Sequence, residues 1–427
     1  MASSNLKNGE SLRLASFSLE TAGGLADYAR EQARALRAAG VRVDFITSPS
    51  VAKANHGLEI DFVPVLAEKP STSEKRSRLA RRLQTMGWIL GNMRRLASWV
   101  EKEQVKCVLM GAYMEYFAPL WAPQFRRLAR GGVVFGAVVH DPVRQSGFGP
   151  RWWRRESVAQ AYSFLSEAFV HDPIELDTVR PVKGLQTTVI PHGPYQFPHA
   201  VLSREVVRQQ LQIPANGQLM LAFGHLRDAK NLDLVLRAMA LNPNYYLLVA
   251  GKELSSSQRP ASYYQELAVR LKVADRCRWK ICLVPENEIG DLFEASDVVL
   301  LTYNGGFRSA SGVLNVAVQY RKPCLASGGA GNLKTSVAKY GLGRWIEPDD
   351  EGALAQGMSN WAGDQLKPDW AGYERDNSWE LNARLVQQCF LARCGGADDS
   401  SAAGHLPLVS RRAGDERAVG IYEGADV

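Results

Sequence analysis

The stretch from Ser11 to Pro49 reads strand, glycine turn, helix, strand, and that order restricts the fold more than any other feature of the chain. SLRLASFSL is an apolar run of strand length, ETAGG a tight turn, LADYAREQARALRAAG a helix ending in Gly40, and VRVDFITSP a second strand. Such a βαβ unit joins parallel strands by a right-handed crossover and implies an open sheet covered by helices. The rhythm continues through VKCVLMGAY, GGVVFGAVVHD, EAFVHD and QTTVIPHG. It stops at PHGPYQFPHA, where Pro191, Pro194 and Pro198 stiffen the connection. It restarts with QLMLAFG, YYLLVAG, RWKICLV, DVVLLTY and KPCLASG as strands separated by helices.

The expectation is therefore an α/β chain with two Rossmann-like parallel-sheet domains facing across a cleft, residues 1–195 and 196–371, the alternating strands and helices of the second domain ending near EPDD at residue 350. WELNARLVQQCFLARC adds an amphipathic helix, expected over 372–393. The small, polar, aperiodic segment after it, 394–427, reads as disordered.

Open parallel sheets bind ligands beyond the carboxyl ends of their strands, so the residues directly after strands are the informative ones. Gly23 and Gly24 follow the first strand, where a glycine pair lets backbone N–H groups approach a phosphate or a sugar; a ligand-free tight turn is the plainer reading. His140 and Asp141 end VVFGAVVHD, a suitable mount for a proton-transfer group, with Asp141 also placed to cap a turn before Pro142.

QLMLAFGHLRDAKNLDLVLRAMA puts Arg227 and Lys230 between a strand and a helix, with Asn231 as the expected N-cap. Two cations at the positive end of a helix call for an anion, unless they are merely a solvated pair. An arginine fork beside a lysine point charge suits a diphosphate. In LLTYNGGFRSASGVLNVAVQYRKP a second helix starts near Ser311 and Gly312, with Ser309 or Ser311 as cap. Together the two helix starts describe a pyrophosphate clamp.

The formal net charge of +7 favours acidic partners: nucleic acid, anionic lipid or phosphorylated metabolites. No nucleic-acid recognition motif accompanies it. The six cysteines have neither zinc-ligand spacing nor the density of a disulfide framework. There is no signal-peptide pattern and no apolar run of the roughly 20 residues a membrane span needs. The expected location is cytoplasmic.

Peripheral contact with the inner face of a membrane is suggested by STSEKRSRLARRLQTMGWILGNMRRLASWVEKEQ. Leu79, Leu83, Met86, Leu90, Met93, Ala97 and Val100 form one core-facing stripe, with Arg81, Trp88, Arg95 and Trp99 opposite. Basic residues interleaved with tryptophan can seat a helix on anionic lipid, and RWWRR at 151–155 repeats the chemistry. A solvated face with packed tryptophans is the alternative.

With these pieces assembled, the chain from about residue 12 to 392 resembles the family-4 glycosyltransferases of GT-B fold. The likeness lies in GGLADYARE, VVHD, VIPHGPY, FGHLRDAKNLDLVLRA, CLVPENEIGDLFEASDVVLLTY and SASGVLNVAVQYRKPCLAS, in that order. It implies transfer of a sugar, with retention, from a nucleotide-sugar co-substrate to a glycan or lipid-linked acceptor in polysaccharide or glycoconjugate synthesis, without a metal or cofactor.

By position, the resemblance has Arg227 and Lys230 stabilise the leaving diphosphate, Gly23 and Gly24 touch donor or acceptor, and His140 line the sugar site. Backbone at Val284 and Pro285 would meet the base, and the N–H groups of Ser311, Gly312 and Val313 the phosphate. The last helix would cross back to the first domain.

Two family glutamates, eight positions apart, fall on Arg308 and Val316, neither of which can accept a hydroxyl hydrogen bond as a carboxylate does. His225 stands where arginine is frequent. A GT-B sugar-nucleotide epimerase and a catalytically silent sugar-nucleotide binder or scaffold are the competing readings.

Overall fold

The computed structural model describes residues 11–55, 59–70, 77–140, 150–176, 178–253, 258–361 and 366–394. The first half contains β1 (Arg13–Ser18), α1 (Gly24–Ala38), β2 (Arg42–Ile46), α2 (Pro49–Ala54), β3 (Asp61–Val63), α3 (Arg78–Lys102) and β4 (Cys107–Ala112). α4 (Ala118–Arg130), β5 (Val134–Val138), α5 (Arg151–Tyr162), β6 (Glu167–Val170) and β7 (Gln186–Val189) complete it. The seven strands form one parallel sheet in the order β3-β2-β1-β4-β5-β6-β7.

After the proline-bearing connector come α6 (Arg204–Gln210), β8 (Gln218–Phe223), α7 (Leu232–Leu241), β9 (Tyr245–Ala250), α8 (Ala261–Arg270), β10 (Cys277–Lys280) and α9 (Glu286–Ala295). β11 (Val298–Thr302), α10 (Gly312–Gln319), β12 (Cys324–Ser327), α11 (Asn332–Tyr340), β13 (Gly343–Trp345) and α12 (Glu351–Ser359) follow. Their six strands form a second parallel sheet, β10-β9-β8-β11-β12-β13. The chain ends in α13 (Trp370–Asp376) and α14 (Trp379–Cys394).

Alternation along each strand feeds two cores. Leu14, Cys107 and Leu109 point to the face covered by α1 and α14, while Ala15, Phe17, Val108 and Met110 point to the face covered by α3, α4 and α5. Both faces are buried, which is why these strands read as unbroken apolar runs.

The last helix does return to the first domain. Trp379, Ala383, Val386 and Phe390 of α14 pack with Leu14, Tyr28 and Phe169. Trp379 Nε1 donates to Pro194 O at 2.7 Å, and its ring fills the place of a side chain at Gly193, whose Cβ would lie 2.5 Å away. Cys394, the final helical residue, brings its Sγ to 2.7 Å from that of Cys107.

Two expected boundaries shift. Residues 372–376 belong to α13, whose Tyr373 is buried in the second domain's core, so the returning helix starts at Trp379 and not at 372. The second domain does not close at 350 either: Asp350 caps α12 by accepting the Ala353 N–H, and Leu354 and Met358 pack with Val235 and Met239 of α7. The segment expected to be disordered lies outside the described residues beyond Cys394.

Candidate active site

β8 runs into Gly224, whose φ of +84° is a conformation that L side chains rarely adopt. Leu226 then sinks into the core, Arg227 stays exposed, and Asp228–Lys230 makes a single 3₁₀ turn before α7. That turn is fastened from several sides. Thr302 Oγ1 donates to Lys230 O at 2.8 Å, and Asn304 N donates to Ala229 O at 2.8 Å. The Asp228 carboxylate accepts from Tyr264 OH at 3.1 Å and from Arg259 N at 3.0 Å.

Asn231 precedes α7 but does not cap it. It adopts the left-handed conformation (φ 51°, ψ 35°), and its amide donates to Asp349 Oδ1 at 2.8 Å. The tight turn demands a left-handed residue there, which asparagine tolerates, and that swings its side chain away from the helix.

Lys230 Nζ donates to Phe223 O at 2.5 Å, and among the described residues no carboxylate lies within ion-pair range of Lys230 or Arg227. Burial, then the neighbouring Arg227 charge, pushes the Lys230 ammonium down to about 7. His225 is held below its usual range by burial and by Arg227, Lys230 and Lys252. Four basic side chains thus share a strand end with little countercharge. Glu20 of the first domain is the carboxylate that acts on His225, and it is paired with Lys69 at 3.5 Å.

Gly224 joins this cluster to the second helix start. A Cβ there would lie 3.5 Å from Lys230 Nζ and 3.6 Å from Val313 Cγ2, so the missing side chain leaves a gap between the ammonium and the first turn of α10. Ser311 caps that helix: its Oγ accepts the Leu314 N–H at 3.3 Å and lies 3.0 Å from Tyr303 OH. Gly312 opens the first turn. Of the two serines expected as the cap, Ser311 and not Ser309 serves.

The first domain supplies the opposite wall. Gly23 sits at φ +83°, ψ 179°, a region nearly reserved for glycine, and a Cβ on it would be 3.8 Å from His225 Cε1 across the cleft. Tyr195 OH donates to Gly24 O at 3.2 Å and lies 3.1 Å from the position of a Cβ on Gly312. One phenol from the connector therefore touches the starts of both α1 and α10. Burial raises its pKa, and nearby Asp27 adds to the shift.

His140 follows β5, with Nε2 3.2 Å from Gly111 O and its ring 4.6 Å from that of Tyr28. His171 and His192 flank the same tyrosine at 5.3 and 4.9 Å. Burial keeps His171 well below the usual imidazole range and His192 down at about 4, so both are neutral near pH 7. Asp141 lies outside the described residues.

Val284 is buried, and exposed Pro285 is the N-cap of α9. Beside it Glu286 receives Arg30 of α1 at 3.3 Å, so this wall too spans the cleft. Arg30 also pairs with Asp27, whose carboxyl burial raises to about 6. Arg308 is partly buried beside the Gly329–Gly331 loop, and Val316 is fully buried in the second domain's core. Neither glutamate position offers a carboxylate to the cleft.

Sequence reasoning missed Tyr195, His171, His192 and the α1 carboxylates. An aromatic in a proline-rich connector has no periodicity to betray its packing. The two histidines stand in HD and PH pairs after strands, a signal as good as that of His140.

Residues 203–385 match the family described as Glycosyl transferases group 1. The D-inositol 3-phosphate glycosyltransferase of Streptomyces avermitilis is 26% identical over 206 residues, covering 46% of this chain and 39% of that protein. The protein of the same name from Mycolicibacterium vanbaalenii is 26% identical over 261 residues, 57% of this chain and 52% of that one. The chain thus matches only about two fifths of the length of the Streptomyces relative.

Among solved structures, a sucrose-phosphate synthase from Thermosynechococcus elongatus superposes with a TM-score of 0.62 at 20% identity, covering 89% of this chain and all of that one. Anabaena HepE in complex with UDP and glucose gives 0.63 at 14% identity, covering 89% and 98%. These likenesses establish the two-domain GT-B fold over nearly the whole described chain.

Proposed function

We propose that this chain is a glycosyltransferase that moves a hexose from a nucleotide-sugar donor to a glycan or lipid-linked acceptor, with retention and without a metal, in polysaccharide or glycoconjugate synthesis. The observation that carries the reading is the uncompensated cationic gap around Gly224. Among the described residues Lys230 is desolvated with a single carbonyl partner, and Arg227 stands beside it without a carboxylate. A diphosphate there gains two charge-assisted contacts and relieves the repulsion between them.

The same groups would stabilise the charge that builds on the departing nucleoside diphosphate, which is the larger part of what such a transfer needs. Gly23 and Gly24 would bring first-domain backbone to the sugar, and His140 would line its pocket and act on the acceptor hydroxyl. Val284 and Pro285 would face the base, and the first turn of α10, at Ser311, Gly312 and Val313, the phosphate. The UDP complex of the HepE structure is consistent with a nucleotide sugar in a cleft of this fold.

A silent sugar-nucleotide binder is the second reading, and one observation favours it: Arg308 and buried Val316 leave the sugar and ribose without carboxylates from α10 and its loop. Titration with UDP, GDP, TDP and ADP sugars, followed by assay for released nucleoside diphosphate, separates the two. Binding with slow donor hydrolysis supports the transferase, binding without any turnover supports the silent binder, and no binding by any of the four refutes both.

A further inference from the structure

α3 is too long for the sheet it covers. Its 25 residues span about 37 Å, whereas the six residues of β4 span about 20 Å. α3 enters β4 through a short connection, so its C-terminal end lies at the amino edge of the sheet and the excess projects past the carboxyl edge, the side of the cleft. The buried residues confirm the offset: Ile89, Met93, Leu96, Ala97 and Val100 are in the core, while Leu79 and Leu83 are 67% and 54% exposed. The apolar stripe expected from sequence is a core face only in its second half.

Trp88 and Trp99, on the side opposite the stripe, are partly buried, as the packed-tryptophan reading of this helix has it. Trp88 Nε1 donates to Ala67 O at 2.9 Å, and Trp99 packs on the core.

On the same face α4 lies next to α3 and α5 next to α4, and each starts at the same carboxyl edge. Their first turns expose Leu120 (55%) and Trp152 (68%). The neighbouring charge is mainly positive, with Glu115 and Glu156 as carboxylates beside it. α3 carries five arginines and no carboxylate before Glu101. Among the described residues Arg81, Arg151 and Arg155 are exposed with no acidic partner in ion-pair range, and Glu156 is taken by Arg180.

We infer that this rim, made by the first turns of α3, α4 and α5, is a docking surface for an anionic lipid bilayer. Leu79, Leu83, Leu120 and Trp152 enter the headgroup region while the arginines meet lipid phosphates. Large apolar groups at one end of three successive helices, set among arginines that include Arg81, Arg151 and Arg155, match an interface that is apolar just below a layer of negative charge. The rim borders the cleft, so a lipid-linked acceptor would be presented where the transferred sugar leaves its nucleotide. That last step rests on the transferase reading; docking itself does not.

The test is co-sedimentation of the full chain with phosphatidylcholine vesicles, with and without about one third phosphatidylglycerol, at low and high salt. The expected result is binding to the anionic vesicles alone, released by salt. Arg81→Gln, Arg151→Gln and Arg155→Gln should each weaken partition about five-fold and together on the order of 100-fold.

Leu83→Ser with Trp152→Ala, both at exposed positions, should weaken it further at unchanged charge. Nucleotide titration of the same variants should be unaltered, so a failed transferase reading and a failed docking surface are told apart. Equal binding to neutral vesicles, no vesicle binding, retention of binding by the triple variant, or binding of RNA in place of vesicles would each overturn the inference.

Discussion

Replacing Lys230 by methionine tests the cationic gap through two opposite effects. The displacement of its ammonium from 10.5 to about 7 corresponds to roughly 3–5 kcal/mol held against the charged form by burial. The unfolded chain keeps this proton up to the ordinary lysine range, whereas the folded chain releases it near 7. Between those values the unfolded state binds more protons, so stability climbs with pH across the window and the cost is fully felt below it.

Lys230→Met removes that cost but leaves Phe223 O without its donor, an offset of about 1 kcal/mol. The ligand-free variant should therefore be more stable than the parent at acid-to-neutral pH by about 2–4 kcal/mol, a gain that fades toward pH 10. It should bind no nucleotide sugar. The parent should take up roughly half a proton per nucleotide sugar bound at about pH 7 and nearly one at about pH 8, because the diester phosphates do not titrate near neutrality and the bound lysine must be charged. Calorimetry in buffers of different ionisation enthalpy reads the uptake directly. A pH-independent affinity without proton uptake in the parent, or uptake that survives in Lys230→Met, would refute the reasoning.

Other outcomes follow from the same site. Arg227→Ala removes one charge-assisted contact worth about 1.5–3 kcal/mol, so calorimetric affinity for the donor should fall roughly 10- to 150-fold. His140→Ala should leave that affinity unchanged and lower turnover by about 10²–10⁴ in a donor-consumption assay; an equal loss in binding would move His140 from the acceptor side to the donor. His192 is buried neutral with its pKa at about 4, so the unfolded state binds the extra proton between about 6.5 and that value. Stability should drop by roughly 3 kcal/mol as pH falls through that window, seen as a declining denaturant midpoint.

The inner strands were legible because both faces of each sheet are covered, turning them into apolar runs with a polar turn behind; the short edge strands β3 and β13 (DFV and GRW) carry no such run and were not. The glycines were legible for a related reason: at Gly23 and Gly224 the backbone needs positive φ, and only the residue type reports that. Helix α12 was not, since GALAQGMS shows little amphipathic contrast and its burial is owed to α7.

The reading of α3 failed at the assumption that a helical stripe faces core along its whole length. Periodicity records direction around the axis, not how far the neighbouring sheet extends. Asn231 shows the reverse case: the right residue at the right place, serving backbone conformation rather than capping. The cleft contacts through Tyr195, Arg30 and Glu286 join residues far apart in the chain, and local pattern carries no trace of such pairings.

The account depends on two phosphoryl groups occupying the space between Lys230 and the start of α10. A crystal structure with a bound nucleotide sugar measures this directly. The diphosphate should lie within hydrogen-bond distance of Arg227 and Lys230, against Gly224, with first-turn N–H groups of α10 on its other side. A diphosphate bound elsewhere, with Arg227 and Lys230 turned to protein carboxylates, would contradict it.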